Sequence, residues 1–132
     1  MTPFGERVRA LRKERGINQK KMAADLGVSN AYLSALEHGH RGRPAPGMIM
    51  QICGYFGLIW DESEELKRLA LLSHPRATVD TAGLSPKATE LANLLSETIA
   101  DLDEDTLQWI LDEIRGRIGA RERGNKGRDP IY

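Results

Sequence analysis

The sequence has one cysteine, no net charge and no apolar run long enough to cross a bilayer. Cys53 alone cannot form an internal disulfide, so the core must hold the fold, and a reducing compartment fits that arrangement. A membrane helix needs about 18 consecutive apolar residues, and none are found. The stretch from Met1 to Arg7 lacks the charged-then-apolar order of a secretory signal. These absences lead us to expect a soluble, cytoplasmic protein. Strand-like alternation and solenoid repeats are missing too, which leaves helices as the building material. There is no nucleophile with base and orienter at informative spacing, no glycine-rich phosphate loop after a strand and no paired carboxylates in a presumed cleft. Neither an enzyme nor a cofactor is expected.

A length of 132 residues suits one domain, or a small domain with an appendage. A chain this long buries roughly two thirds of its unfolded surface. Its zero net charge is unevenly spread. Residues 1–60 hold nine Lys and Arg against four Asp and Glu, residues 61–118 hold six against thirteen, and residues 119–132 hold four against two. A basic half suited to an anion therefore precedes an acidic half with another task, unless both are simply solvated faces.

Helix punctuation begins at Thr2-Pro3, an N-cap followed by proline at the first helical position, and Phe4, Val8 and Leu11 recur before Gly16. Asn18 can cap a second helix from Gln19 to Leu26, which Gly27 stops. Ser29 can cap a third from Asn30 to about His38, which Gly39 closes. Ile49, Ile52, Cys53 and Phe56 mark a fourth helix ending at Gly57. A fifth, which Asp61 can cap, carries Leu66, Leu69 and Ala70 inward and ends at His74-Pro75. Residues 75–83 read as a linker. Ser85-Pro86 starts a sixth helix with Leu91, Leu94, Leu95, Thr98 and Leu102 in register. Asp103-Glu104-Asp105 starts a seventh with Leu107, Ile110, Leu111, Ile114 and Ile118. Together these two make a helical hairpin over 84–118. Residues 119–132 have no apolar period and read as a disordered basic tail.

The informative stretch is Gln19 to Glu37, where two short helices flank the turn Gly27-Val28-Ser29, the spacing of a helix-turn-helix. Ala23 is small enough for the helices to cross closely, and Gly27 can take the left-handed turn conformation. Projected at 3.6 residues per turn, Tyr32, Leu33 and Leu36 gather inward, while Asn30, Ala31, Ser34 and His38 gather outward. Such a small polar face can lie in a major groove without obstruction.

Three runs carry a family likeness: Arg7 to Gln19, Met22-Ala23-Ala24-Asp25-Leu26-Gly27-Val28-Ser29, and Tyr32-Leu33-Ser34-Ala35-Leu36-Glu37-His38-Gly39. Over about residues 3–73 the chain resembles the phage-repressor-like helix-turn-helix regulators of XRE type. The resemblance implies an all-α fold, with a five-helix repressor-like domain over 1–74 ahead of the hairpin. It also implies sequence-specific binding of double-stranded DNA, commonly by a homodimer, and hence a nucleoid-associated protein. By the same resemblance Gln19 opens the second helix against the DNA backbone or an edge base, while Asn30, Ala31 and Ser34 read bases. His38 joins them on the projected face. Lys20, Lys21, Ser29, Tyr32, Arg41 and Arg43 are the residues expected at the backbone or site edge.

Arg12 shares a helix side with Phe4 and Val8, where an unpaired guanidinium is costly, unless it snorkels to solvent. Glu37, at the border of the third helix's inner face, is the leading partner, and the resemblance supports the pairing. Arg41-Gly42-Arg43-Pro44 resembles the core of an AT-hook, a minor-groove element, although plain phosphate contact by two arginines is the preferred reading. No metal site is expected: Cys53 belongs to an apolar stripe, and the His38 and His40 spacing is short. In the hairpin, Leu94, Leu95, Leu107, Ile110 and Ile114 are candidates for a dimer or partner interface. Trp109 points away from its neighbours, so it packs on the first domain, enters a subunit interface or stays exposed. A dimeric repressor is the leading function. The rival is an antitoxin-type interaction protein whose acidic C-terminal half binds a protein partner.

Overall fold

Thr2, Asn18 and Ser29 each stand one residue before a helix and hold its first turn in the computed structural model, which describes residues 1–124 and their side chains through residue 120. Thr2 Oγ1 accepts from the Gly5 amide at 3.1 Å, Asn18 Oδ1 from Lys21 at 2.7 Å and Ser29 Oγ from Tyr32 at 3.0 Å. Each bond satisfies one of the amides a helix start leaves orphaned. The helices are α1 (Pro3–Glu14), α2 (Gln19–Leu26), α3 (Asn30–His38), α4 (Pro46–Phe56), α5 (Trp60–Leu71), α6 (Pro86–Thr98) and α7 (Glu104–Gly124). Among the described residues there is no strand. The chain divides between Thr78 and Val79 into two compact units.

In the first unit every helix contributes to one core: Phe4, Val8 and Leu11 from α1, Met22 and Ala23 from α2, Leu33 and Leu36 from α3, Ile49, Ile52 and Phe56 from α4, and Leu66 and Ala70 from α5. Helix α1 packs on both α3 and α5, and α4 packs on α5 and α2. Thr2 seats α1 on the last turn of α3, because its amide and its hydroxyl both donate to the Glu37 carbonyl, at 3.2 and 3.1 Å. Gly5 makes the close approach possible: a Cβ there would stand 1.9 Å from the Glu37 carbonyl oxygen. At the same end of α1 the buried Ser73 accepts from the Phe4 amide at 3.0 Å and donates to the Leu69 carbonyl. The start of α5 differs from expectation. It begins one residue earlier than Asp61, with Ile59 at the cap position and no side-chain cap bond. Asp61 and Glu62 lie instead in the first turn, where they offset the positive end of the helix dipole.

In the second unit Asp103 caps α7, its Oδ1 accepting from the Thr106 amide at 2.8 Å, and hydrogen bonding from the Thr106 side chain, then from its amide, lowers the Asp103 pKa. Helix α6 stops at Thr98, four residues short of Leu102. The chain then tightens into a 3-10 turn at Ile99–Asp101. Thr98 Oγ1 donates back to the Leu94 carbonyl at 2.7 Å, a bond that competes with regular helix at its end. Helix α7 runs on past Ile118 to Gly124, so the first residues of the expected tail are helical. Ala120 and the charged residues around it are good helix formers even without an apolar period. The rest of that tail, 125–132, lies outside the described residues. No described residue of α6 or α7 is buried, and the two helices approach each other only sparsely. No described helix is long and apolar enough to cross a membrane.

Candidate nucleic-acid interface

Helices α2 and α3 meet through Gly27, which takes φ 72° and ends α2, while the Val28 amide returns to the Ala23 carbonyl at 2.9 Å. A side chain at that φ would be strained, so glycine fits the turn. Leu33 and Leu36 then anchor α3, and its opposite side is left to solvent: Asn30, Ala31 and His38 are exposed and Ser34 is half-buried. His38 is committed in part, because its Nδ1 lies 2.9 Å from the Ser34 carbonyl and must donate to it, which leaves Nε2 facing outward. Its ring lies 6.0 Å from that of His40.

Behind this face sits a buried polar cluster. Arg12 Nη2 donates to Glu37 Oε1 at 2.5 Å, and Gln19 Nε2 donates to Glu37 Oε2 at 2.9 Å. Glu37 is fully buried and Arg12 nearly so, which removes the snorkelling alternative for the arginine. Arg12 Nε has no hydrogen-bond partner among the described residues. Gln19, expected at the DNA, is thus held by α3 through one N–H of its side-chain amide, which leaves its second N–H and its amide oxygen as the remaining contacts. Loss of either ionic partner would strand the other charge in the core.

The cationic rim is less uniform than the sequence suggests. Lys20 is exposed, whereas Lys21 Nζ stands 3.3 Å from Asp25, whose carboxylate also accepts from the Tyr55 hydroxyl at 2.7 Å. The Tyr55 bond, then Lys21, lowers the Asp25 pKa, and the same bond to Asp25 raises that of Tyr55. Arg41 and Arg43 are exposed in the loop after α3. That loop is not the extended ribbon an AT-hook core requires. Gly39 and Gly42 take φ 79° and 72°, the Gly42 amide bonds to the Gly39 carbonyl at 3.0 Å, and Pro44 is buried. The Arg41 guanidinium lies over the Tyr32 ring, its Cζ 4.7 Å from the centroid.

The Arg41 stack, the Gln19 bond and the Asp25–Tyr55 bond were not foreseen. All three join residues on different elements, and no local pattern marks them. Among the described residues no three His, Cys, Asp or Glu side chains gather as a metal site. The half-buried Cys53 lies beside the core on α4. In the second unit Leu94, Trp109 and Ile114 are 53%, 64% and 51% exposed, and Leu95, Leu107 and Ile110 are half-buried.

The family model described as a helix-turn-helix domain matches residues 5–71, which cover α2 to α5 and all but the first two residues of α1. The HTH-type transcriptional repressor RghR of Bacillus subtilis (strain 168) is 44% identical over 52 residues, which are 39% of this chain and 38% of that protein. The uncharacterized HTH-type transcriptional regulator RghRB of the same organism is 38% identical over 52 residues, 39% of this chain and 37% of that protein. The match therefore spans less than two fifths of the length of either relative. No solved structure matches the chain significantly.

Proposed function

Because the chain belongs to the helix-turn-helix domain family, we propose that it is a DNA-binding transcriptional regulator, a repressor that acts as a dimer. One observation carries the reading: α3 leaves a face of small side chains, exposed Asn30 and Ala31 and half-buried Ser34, and the exposed cations Lys20 on α2 and Arg41 and Arg43 in the loop after α3 belong to the elements that adjoin it. Side chains of this size fit a major groove, where an amide such as that of Asn30 can pair with adenine in two bonds. Lysine and arginine beside them supply the salt-dependent attraction to phosphate. Ser29, at the start of α3, and Gln19, at the start of α2, lie where a phosphate would approach two helix N-termini. RghR, named a transcriptional repressor, supports the choice of repression.

The dimer rests on the second unit. Leu91, Leu94, Ile99, Leu111, Ile114 and Ile118 are each about half exposed in the single chain, more apolar surface than two helices can cover alone. Four helices from two chains would cover it. A second copy also matches the need of a regulator for two linked half-sites.

The test is selection of duplexes from a random-sequence pool by the full chain, followed by titration. Asn30→Ala should lose discrimination of roughly 1–3 kcal/mol at one or two base pairs, and Lys20→Ala should weaken all sequences alike and flatten the salt slope by about 1. Failure to enrich any duplex refutes the reading. An equal loss for Asn30→Ala on selected and random DNA places the reading face elsewhere.

A further inference from the structure

We infer that Tyr32 is a positioning residue that acts on DNA through Arg41, holding the guanidinium in the orientation in which it receives a phosphate. The inference rests on the DNA-binding reading above and assigns Tyr32 a role other than direct contact. Tyr32 is a rigid platform: it sits in the first turn of α3, its amide is tied to Ser29, and its ring is half-buried against the core. Arg41 reaches that ring from a loop fastened on both sides. The His40 amide bonds to the Ala35 carbonyl at 2.9 Å, the Gly42 amide to the Gly39 carbonyl at 3.0 Å, and Pro44 is buried two residues beyond. The exposed side chain of Arg41 has this one contact, and the stack at 4.7 Å holds it.

A cation stacked on a ring is bound through its face, and a guanidinium keeps its N–H donors in the plane of that face. Arg41 has no hydrogen bond or ion pair among the described residues, so the edge that could grip a phosphate in two parallel bonds stays available. Holding a long side chain in its bound orientation before contact removes part of the ordering cost of binding. Lysine would not substitute, since an ammonium presents no planar fork. The Tyr32 hydroxyl has no part in this arrangement, and phenylalanine should serve as well.

A double-mutant cycle on the full chain tests the coupling, read by titration onto a duplex enriched from a random pool by the wild type. Tyr32→Leu should weaken binding about two- to five-fold, the effect of an exposed cation–π contact. Tyr32→Phe should bind like the wild type, and Tyr32→Leu should cost nothing further once Arg41→Ala is present. Without DNA, the ring-current shift of the Arg41 side-chain protons should survive Tyr32→Phe and vanish in Tyr32→Leu. An equal loss for Tyr32→Leu with and without Arg41, or a loss in Tyr32→Phe as large as in Tyr32→Leu, overturns the inference and leaves DNA binding intact. A wild type that enriches no duplex overturns both.

Discussion

Replacing Gly5 with alanine sets two opposite effects against each other. Alanine is the better helix former by about 1 kcal/mol, and in a solvated helix that gain would be realised. At Gly5, however, the new Cβ would meet the Glu37 backbone at 1.9 Å from its oxygen, 2.6 Å from its carbonyl carbon and 2.8 Å from its Cα. Backbone in the last turn of α3 cannot swing aside as a flexible side chain does. A carbon–oxygen contact relaxes only near its ordinary separation, so α1 and α3 must part by more than about 1 Å, enough to forfeit a quarter to a half of each dispersion contact between them. The two bonds from Thr2 to the Glu37 carbonyl, already 3.1 and 3.2 Å, would lengthen as well, at roughly 1 kcal/mol each. Overpacking of this kind typically costs about 1–3 kcal/mol, so with the lost bonds and the propensity gain the net should be a loss of roughly 2–4 kcal/mol. For a domain this small, that is a fall of about 8–32 °C in Tm. Thermal and urea unfolding followed by far-ultraviolet circular dichroism would measure it. Gly54→Ala is the control: it lies within α4 with nothing within 4 Å of its Cβ position, and it should gain about 0.5–1 kcal/mol. If Gly5→Ala matches Gly54→Ala, the seating of α1 on α3 is not as tight as the backbone contact requires.

Glu37→Leu should cost roughly 3–5 kcal/mol in urea unfolding because it strands a buried guanidinium, and Arg12→Met beside it should restore most of the loss; failure of that rescue would make Glu37 important for shape and not for charge. The Tyr55–Asp25 bond sets opposite pH limits. Asp25 is depressed in the folded state, so its contribution is present above the unfolded value and lost as pH falls below about 4, whereas Tyr55 is raised, so its contribution is present below the unfolded value and lost as pH rises past about 10. Carboxylate titration by NMR should show the Asp25 pKa rising in Tyr55→Phe, and an unchanged titration would dismiss the bond. Truncation after Thr78 keeps Ser73 and the whole first core, so it should leave a folded monomer with much weaker operator binding; sedimentation as a dimer would place the interface in the first unit.

Local chemistry made the first five helices legible. Asn18 and Ser29 cap where their side chains can reach an amide three residues on, and Gly27, Gly39 and Gly57 end helices in the left-handed conformation that their lack of a Cβ permits. Arg12 could be matched to Glu37 because a charge on an apolar stripe demands a partner and few acids were available. The same method placed the cap of α5 at Asp61, since nothing in the sequence favours Ile59 there, where no side-chain cap bond holds the helix start. Arg41 on Tyr32 and Gln19 on Glu37 were out of reach, as each depends on how two elements approach in space. The outward face of α3 was legible only as a face. Which of its side chains is already committed, as His38 is to the Ser34 carbonyl, depends on rotamers that spacing along the chain does not set.

The bond between the Phe4 amide and the Ser73 hydroxyl also has a consequence in time. The two residues are 69 positions apart, so α1 waits for the last turn of the first unit before its packing is complete. At a synthesis rate of about 5–20 residues per second, that wait on the ribosome is roughly 3–14 s. Helices α2 and α3 can associate early through neighbouring contacts, while Phe4 and Val8 stay without Leu66 and Ala70. The nascent chain is therefore most exposed to chaperones and proteases before α5 emerges. A slow codon run translated while Ser73 is still inside the ribosome should lower the yield of folded protein more than the same run placed where Ser73 has already emerged.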